Sequence, residues 1–303
     1  MKSENLSRRM ILKSGLVACA GICSLEAIAK GAEEMKKAIE AKKEIPVGAS
    51  IYPSVPAKTG KEKFNLGMAS YTFRKFPTEQ ALAMTKRLGL KYISFKDVHM
   101  PLNSTSEQIQ NTAAKVKEAG ITLYACGVIY MKSEADVQQA FDYAKTAGVK
   151  MIVGVPNYEL LGLVEKKAKE YDIKVAVHNH GADYPLYPSP AIVYEKVKDL
   201  DKRIGLCIDI GHAQRSGIDP SEAAEKFADR LLDLHIKDES AATTEGTTVE
   251  MGRGTIDLVK LMRTLEKIGY TGVAAFEYEK DENDPLAGVA ESAGYTRGIL
   301  ASI

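Results

Sequence analysis

From Phe64 to its C-terminus the chain repeats one unit: a short apolar run rich in β-branched residues, then a longer segment with helical periodicity. Runs that are apolar on both faces must be covered on both sides, and parallel neighbours need a crossover long enough to hold a helix. The alternation therefore predicts a parallel sheet with outer helices. Strands are expected at Leu66–Thr72, Tyr92–Phe95, Thr122–Val128, Lys150–Val155, Lys174–His178, Ile204–Ile208, Leu231–Ile236 and Gly272–Phe276. Helical patterns fall at Thr78–Leu88, Ser106–Ala119, Glu134–Ala147, Ser221–Asp229 and Ile256–Ile268. Gly89, Gly120, Gly148 and Gly269 mark helix C-termini, Ser133 with Asp136 reads as a capping box, and Asp219-Pro220 as an N-cap with proline in the first turn. Eight such units match a (β/α)₈ barrel, the TIM-barrel class, whose usual size is about 250 residues. A doubly wound open sheet is the rival, but Met68-Ala69-Ser70-Tyr71 stands where a G-x-G-x-x-G turn would come after the first strand.

The first 63 residues have a different texture. Ser7-Arg8-Arg9-Met10-Ile11-Leu12-Lys13 precedes a short apolar run, Ser14 to Leu25, in the layout of a bacterial twin-arginine export signal. Residues 1–29 are read as that signal, 30–63 as a tether and 64–303 as the barrel domain. Two endings of the signal stand open: cleavage after Ala27-Ile28-Ala29, or a lipoprotein box, Leu16-Val17-Ala18-Cys19, with a lipid on Cys19. Either places the barrel in the periplasm, free or lipid-anchored. Cys126 and Cys207 sit in apolar strand-like runs and are expected to be buried free thiols. Lys and Arg number 41 against 40 Asp and Glu, so the net charge of +1 sets up no field that would gather nucleic acid or an anionic membrane.

Function in such a barrel concentrates at the C-terminal ends of its strands. All five histidines fall there: His99 after the second strand, His178 and His180 at the fifth, His212 after the sixth and His235 in the seventh. Asp209 ends the sixth strand in Cys207-Ile208-Asp209-Ile210-Gly211-His212, and Glu277 comes directly after the eighth in Phe276-Glu277-Tyr278. Adjacent strands lie about 4.8 Å apart, so four consecutive strand ends can converge on one ion. Buried imidazoles and carboxylates are costly unless paired or metal-bound. His178, Asp209, His235 and Glu277 are therefore expected to hold one divalent ion, and the mixed donor set suits Mn, Fe, Co or Zn better than Ca or Mg. His178 and His180 share a strand face, and position alone favours His178. The competing arrangement pairs Asp209 and Glu277 with Lys237 or Arg253, and His99 is open between substrate contact and loop packing.

Together, Asp209-Ile-Gly-His212, Leu-His235-Ile-Lys237-Asp238 and Phe276-Glu277 resemble the sugar phosphate isomerase/epimerase family, the xylose-isomerase-like barrels. The resemblance runs from about Phe64 to the C-terminus and is densest from the fifth strand onwards. It implies a Mn²⁺-type ion on Asp209, His235, Glu277 and a carboxylate from the fifth strand. This chain departs there, with His178 where the epimerases place the second of two facing glutamate bases.

The resemblance and the ligand pattern together lead to an enzyme acting on a carbohydrate through an enediolate. Glu277, His180 or His212 would move the proton, and Lys237 and Arg253 would steady the negative charge. Glu239–Gly254 reads as a mobile lid returning Arg253 to the mouth. Export favours a sugar without phosphate. Isomerisation or epimerisation is the first expectation; elimination from a keto-glycoside and non-catalytic sugar binding are the alternatives. Phosphodiester hydrolysis, as in endonuclease-IV-like barrels, fits poorly with the near-neutral charge.

Overall fold

The computed structural model describes residues 64–303, so the expected export signal, tether and Cys19 anchor lie outside the described residues. Eight parallel strands close into one barrel: β1 (Asn65–Ala69), β2 (Tyr92–Phe95), β3 (Thr122–Met131), β4 (Met151–Pro156), β5 (Lys174–His178), β6 (Ile204–Asp209), β7 (Leu231–Ile236) and β10 (Val273–Phe276). β10 pairs with both β7 and β1, which closes the ring. Between β7 and β10 a small antiparallel hairpin forms from β8 (Asp238–Glu239) and β9 (Thr248–Val249). The (β/α)₈ expectation is met.

Nine helices accompany the strands among the described residues: α1 (Thr78–Arg87), α2 (Ser106–Glu118), α3 (Glu134–Ala147), α4 (Leu161–Tyr171), α5 (Pro190–Val197), α6 (Ile210–Arg215), α7 (Pro220–Lys226), α8 (Leu258–Lys267) and α9 (Leu286–Ser302). Local chemistry sets their ends as expected. Ser133 and Asp136 form a reciprocal capping box, and Asp219 accepts from the backbone N–H groups of Ser221 and Glu222. Gly89, Gly120, Gly148 and Gly269 all take left-handed φ values, between 67° and 76°.

Three element ends lie three residues from their expected positions, each for a tertiary reason. β1 stops at Ala69, and Ser70–Phe73 turns into a 3₁₀ helix whose Ser70 hydroxyl is bonded by His99 and by the Lys96 N–H. β3 runs on to Met131 because β4 pairs with its far end, which carries Tyr130 to the rim. The helix expected over Ser221–Asp229 ends at Lys226, and a 3₁₀ turn, Ala228–Arg230, delivers Arg230 to the carbonyls of Lys198, Leu200, Asp201 and Ile204.

The main hydrophobic core lies between barrel and helices, built from outward strand residues such as Ile152, Leu206, Ile208, Leu234 and Phe276. The barrel interior is different. Small residues, Ala69, Val273 and Ala275, meet Tyr92 and Tyr124. Tyr124 donates its hydroxyl to Asp233 at 3.3 Å, and burial pushes the Asp233 carboxyl up to about 7. Cys126 and Cys207 are buried free thiols, as expected. This polar floor supports the strand ends above it.

The loop expected to be a lid is tied at its base. Fully buried Asp238 accepts four backbone N–H groups: Glu239 and Ile256 on Oδ1, Gly252 and Gly254 on Oδ2, at 2.9–3.1 Å. Asp238→Ala would strip that acceptor from four donors inside the fold. An unsatisfied buried group costs about 1–3 kcal/mol, so the variant is expected to lose at least about 3 kcal/mol, with Asp238→Asn recovering part. Urea denaturation of the barrel domain measures both.

Candidate metal centre

Strand register brings the predicted ligands together. Asp209 pairs with His235, and His235 with Ala275, so these three stand side by side. Glu277 comes two residues after Ala275 and projects to the same side, its N–H bonded to the Ile236 carbonyl at 3.0 Å. His178 ends β5 beside Cys207. One donor atom from each of His178, Asp209, His235 and Glu277 lies within 4.8 Å of the others, and all four residues are buried.

Asp209 serves two elements at once. It ends β6 and caps α6, its Oδ1 accepting the His212 N–H at 2.9 Å. Its Oδ2 turns into the cluster, 3.4 Å from His178 Nε2 and 3.0 Å from Lys237 Nζ. Asn179 clamps the strand ends: its Oδ1 accepts the Asp209 N–H at 3.0 Å, and its Nδ2 donates to the Asp209 carbonyl at 3.3 Å. Gly211 leaves room for the Lys237 and Glu239 side chains, since a Cβ there would sit 2.5 Å from Lys237 Cδ and 2.6 Å from Glu239 Oε1. Glycine is needed for close approach, not for its φ.

Lys237 is the electrostatic hub. Its ammonium lies 3.0 Å from Asp209, 2.9 Å from Glu277 and 2.5 Å from Glu279, with 1% of the side chain exposed. Burial works against its charge, but the three carboxylates outweigh that and hold its pKa well above the usual lysine value. Glu277 shows the converse: burial raises its pKa, yet His235 and Lys237 together hold it well below the usual carboxylate range. His235 donates or accepts at 3.1 Å with Glu277, and although burial opposes protonation, the Glu277 charge pushes its pKa up to about 9. His178 is driven down by burial, only partly offset by Asp209.

Charge and hydrogen bonding together test whether a divalent ion fits. Three carboxylates, Asp209, Glu277 and Glu279, face one ammonium, leaving −2 when the imidazoles are neutral. Both ring nitrogens of His178, Nε2 of His235 and Oδ2 of Asp209 are buried without a hydrogen bond. The Lys237–Asp209 contact is an ion pair at 3.0 Å outside hydrogen-bond geometry. Buried polar atoms are otherwise almost always satisfied, so this concentration of imidazole and carboxylate lone pairs suits a borderline dication. The residues fit such an ion.

The remaining expected residues divide. His180 joins the rim: its ring is 5.0 Å from that of His178, its Nε2 is 3.0 Å from the Tyr130 hydroxyl, and it lies 4.2 Å from the Tyr184 ring. Burial, with His178 beside it, lowers its pKa to about 3. His212 lies 5.9 Å from His178 and 5.5 Å from His180, ring to ring. His99 is packing, bonded to Ser70 Oγ and to the Phe73 and Phe76 carbonyls. Arg253 corrects the expectation: its guanidinium, 62% exposed, forms a two-pronged pair with Glu291 on α9 instead of reaching the cluster. The hairpin's anchored base turns it outward.

Tyr130, Tyr184, Arg215 and Glu239 at the mouth are not among the residues that the sequence singles out. The strand expected at Thr122–Val128 stops short of Tyr130, which only the extended pairing with β4 brings to the rim. Glu239 sits in the polar loop after Lys237 and is buried, paired with Thr248 of β9 and packed against Gly211 and Gly254. Burial raises the Glu239 carboxyl to about 7, with Lys237 opposing.

Lys237→Met leaves Asp209 and Glu277 buried without their cation. Breaking a buried pair costs about 3–5 kcal/mol, so denaturation in chelator is expected to show that loss of stability. For Glu239 the folded pKa stands above its ordinary value, so the protonated form is favoured by folding. Its stabilising contribution is complete at low pH and falls as pH rises towards 7 and above. Thermal melts from pH 5 to 8 should show wild type losing stability relative to Glu239→Gln; parallel curves would refute the assignment.

Comparison with known proteins fits this geometry. The chain is 31% identical over 129 residues to an uncharacterized protein of Methanocaldococcus jannaschii, covering 40% of this chain and 42% of that one. It is 27% identical over 164 residues to the rhizopine catabolism protein MocC of Rhizobium meliloti, covering 45% and 50%. The chain thus spans about half, or less, of the length of these curated relatives. Among solved structures, the 3-keto-D-glucoside 4-epimerase of E. coli superposes with a TM-score of 0.63 at 16% identity, over 78% of this chain and 99% of that one. That likeness is one of fold. Residues 82–299 match the family model described as xylose isomerase-like TIM barrel, and the chain belongs to that family.

Proposed function

We propose that this protein is a metal-dependent sugar isomerase or epimerase acting on a carbohydrate without phosphate. The observation that carries the reading is the buried His178–Asp209–His235–Glu277 cluster at the C-terminal mouth of a xylose isomerase-like barrel. The keto-glucoside epimerase of the same fold supports the substrate class. Export through the amino-terminal twin-arginine segment, free or lipid-anchored, belongs to the same proposal and motivates an unphosphorylated substrate.

His178, Asp209, His235 and Glu277 would hold the ion, with manganese first and Zn, Co or Fe as alternatives. When bound, it supplies Lewis acidity to a carbonyl and an adjacent hydroxyl. The chain's own groups do the rest. Glu277, kept ionised by His235 and Lys237, is the base that removes a proton from the carbon beside the carbonyl. Lys237, whose ammonium lies 2.9 Å from Glu277, is placed to steady negative charge that develops beside that base. His212 is the rim group that would return a proton, with His180, whose pKa burial lowers to about 3, able to relay one received through its bond to the Tyr130 hydroxyl.

A second reading rests on one specific residue. His178 stands on β5 where a facing glutamate would return the proton, and without that partner an enediolate can instead expel a neighbouring substituent. Elimination from a keto-glycoside is therefore the runner-up.

Calorimetric titration of metal-free protein with Mn²⁺ should give one site, and Asp209→Asn should lose it. In D₂O, isotope exchange into a ketose without bond cleavage supports isomerisation; release of an aglycone selects elimination. Glu277→Gln is expected to lower turnover about a hundred- to ten-thousand-fold. Undiminished turnover, or sugar binding without turnover in the parent, rejects the catalytic reading.

A further inference from the structure

Beside the cluster lies a cavity of about 460 Å³, walled by His212, Arg215, Glu239, Thr248, Glu279 and Lys280 among others. The four candidate ligands do not line it. Two residues join it to the cluster: His212, whose ring is 5.9 Å from that of His178, and Glu279, which bonds Lys237 at 2.5 Å. A molecule reacting at the cluster therefore has a neighbouring compartment into which a remote part can extend. We propose that this cavity is a subsite for a second, uncharged sugar ring, so that the substrate is a glycoside and not a single sugar. The inference rests on the sugar-enzyme reading above and deepens it.

Size comes first. Small-molecule sites span about 300–1,000 Å³, and this cavity reaches that range without including the space over the cluster itself. Charge comes next. Of the two cations, Arg215 lies near the Glu239 carboxyl and Lys280 beside a carboxylate of its own, whereas Glu279 is already committed to Lys237. The partner of Lys280 is Glu250, at 2.9 and 3.1 Å. Such a wall offers no surplus for a phosphate or carboxylate. It alternates donors and acceptors, which suits hydroxyl groups that do both.

Two wall residues carry unmet hydrogen-bonding capacity. Glu239 Oε2, an acceptor when ionised, and Arg215 Nε, a donor, are buried with no hydrogen-bond partner. Each is anchored by a neighbouring atom: Glu239 Oε1 accepts from the Thr248 hydroxyl at 3.2 Å, and Arg215 Nη2 donates to the Thr244 carbonyl at 2.7 Å. Buried polar atoms rarely stay unsatisfied, and a polyhydroxylated ring is a ligand that can meet one of each kind. The compartment is preformed, because Glu239 and Thr248 belong to the hairpin whose base Asp238 ties down. A preformed wall binds without an ordering cost.

The test uses the Mn²⁺-loaded full-length protein and calorimetric binding of fructose, turanose and isomaltulose, the last two being fructose with a glucosyl unit. At least one disaccharide is expected to bind about tenfold or more tightly than fructose, as a second set of polar contacts should give. Thr248→Tyr, which fills the cavity from the hairpin, and Arg215→Ala, from the opposite wall, should each collapse that ratio towards one; circular dichroism melts check that both fold. Equal affinities for the three sugars, binding of none, or a ratio that survives both substitutions overturns the subsite. Isotope exchange in D₂O on the same samples separates the two claims. Disaccharide preference without exchange keeps the subsite and rejects the isomerase reading, whereas exchange with no preference does the reverse.

Discussion

The buried ammonium of Lys237, set among Asp209, Glu277 and Glu279, is the interaction on which the mouth of this barrel depends. Carboxylates taken out of water in such proximity repel one another and lose hydration, so something positive must lie between them. Lys237 supplies one charge and leaves two uncompensated. His235 responds by holding its proton more tightly, to about 9, under the pull of Glu277 against the cost of burial. The excess of carboxylate charge at the cluster is what the proposed divalent ion would balance.

Everything beneath and around that cluster keeps it in place. Below it, the small residues Ala69, Val273 and Ala275 leave room for Tyr124 and Asp233, giving the interior a polar layer in place of a uniformly apolar one. Beside it, Asn179 locks the end of β5 to the end of β6, and Asp209 uses one oxygen to start α6 and the other to face the cluster. Above it, Asp238 gathers four N–H groups and fixes the hairpin that walls the neighbouring cavity. Rigid supports of this kind are what hold a reacting constellation to within a fraction of an ångström.

His178 stands on β5 where the family resemblance places a second glutamate, and the proposed reaction takes its character from that difference. Two facing carboxylate bases would make proton removal and return equivalent. With His178 there, one side has an ionised Glu277 and the other has two imidazoles, His180 and His212, the first kept neutral by burial and bonded to the Tyr130 hydroxyl. In the proposed reaction that asymmetry would separate the fate of an enediolate from its formation.

The amino-acid sequence by itself determined the eightfold β/α alternation, the helix caps and the placement of His178, Asp209, His235 and Glu277 at successive strand ends. These are local properties: a period of two or 3.6, a glycine or serine at a terminus, an ionisable group closing an apolar run. Only the tertiary structure decided that His178 and not His180 enters the cluster, that Lys237 sits at its centre, and that Arg253 leaves for Glu291. It also buried Glu239 and carried Tyr130 to the rim. Each of these depends on how far a strand stays paired with its neighbour and on the path of a loop through space. The side-chain alternation of one segment specifies which face a residue takes; barrel closure and the hairpin fold specify what that face meets.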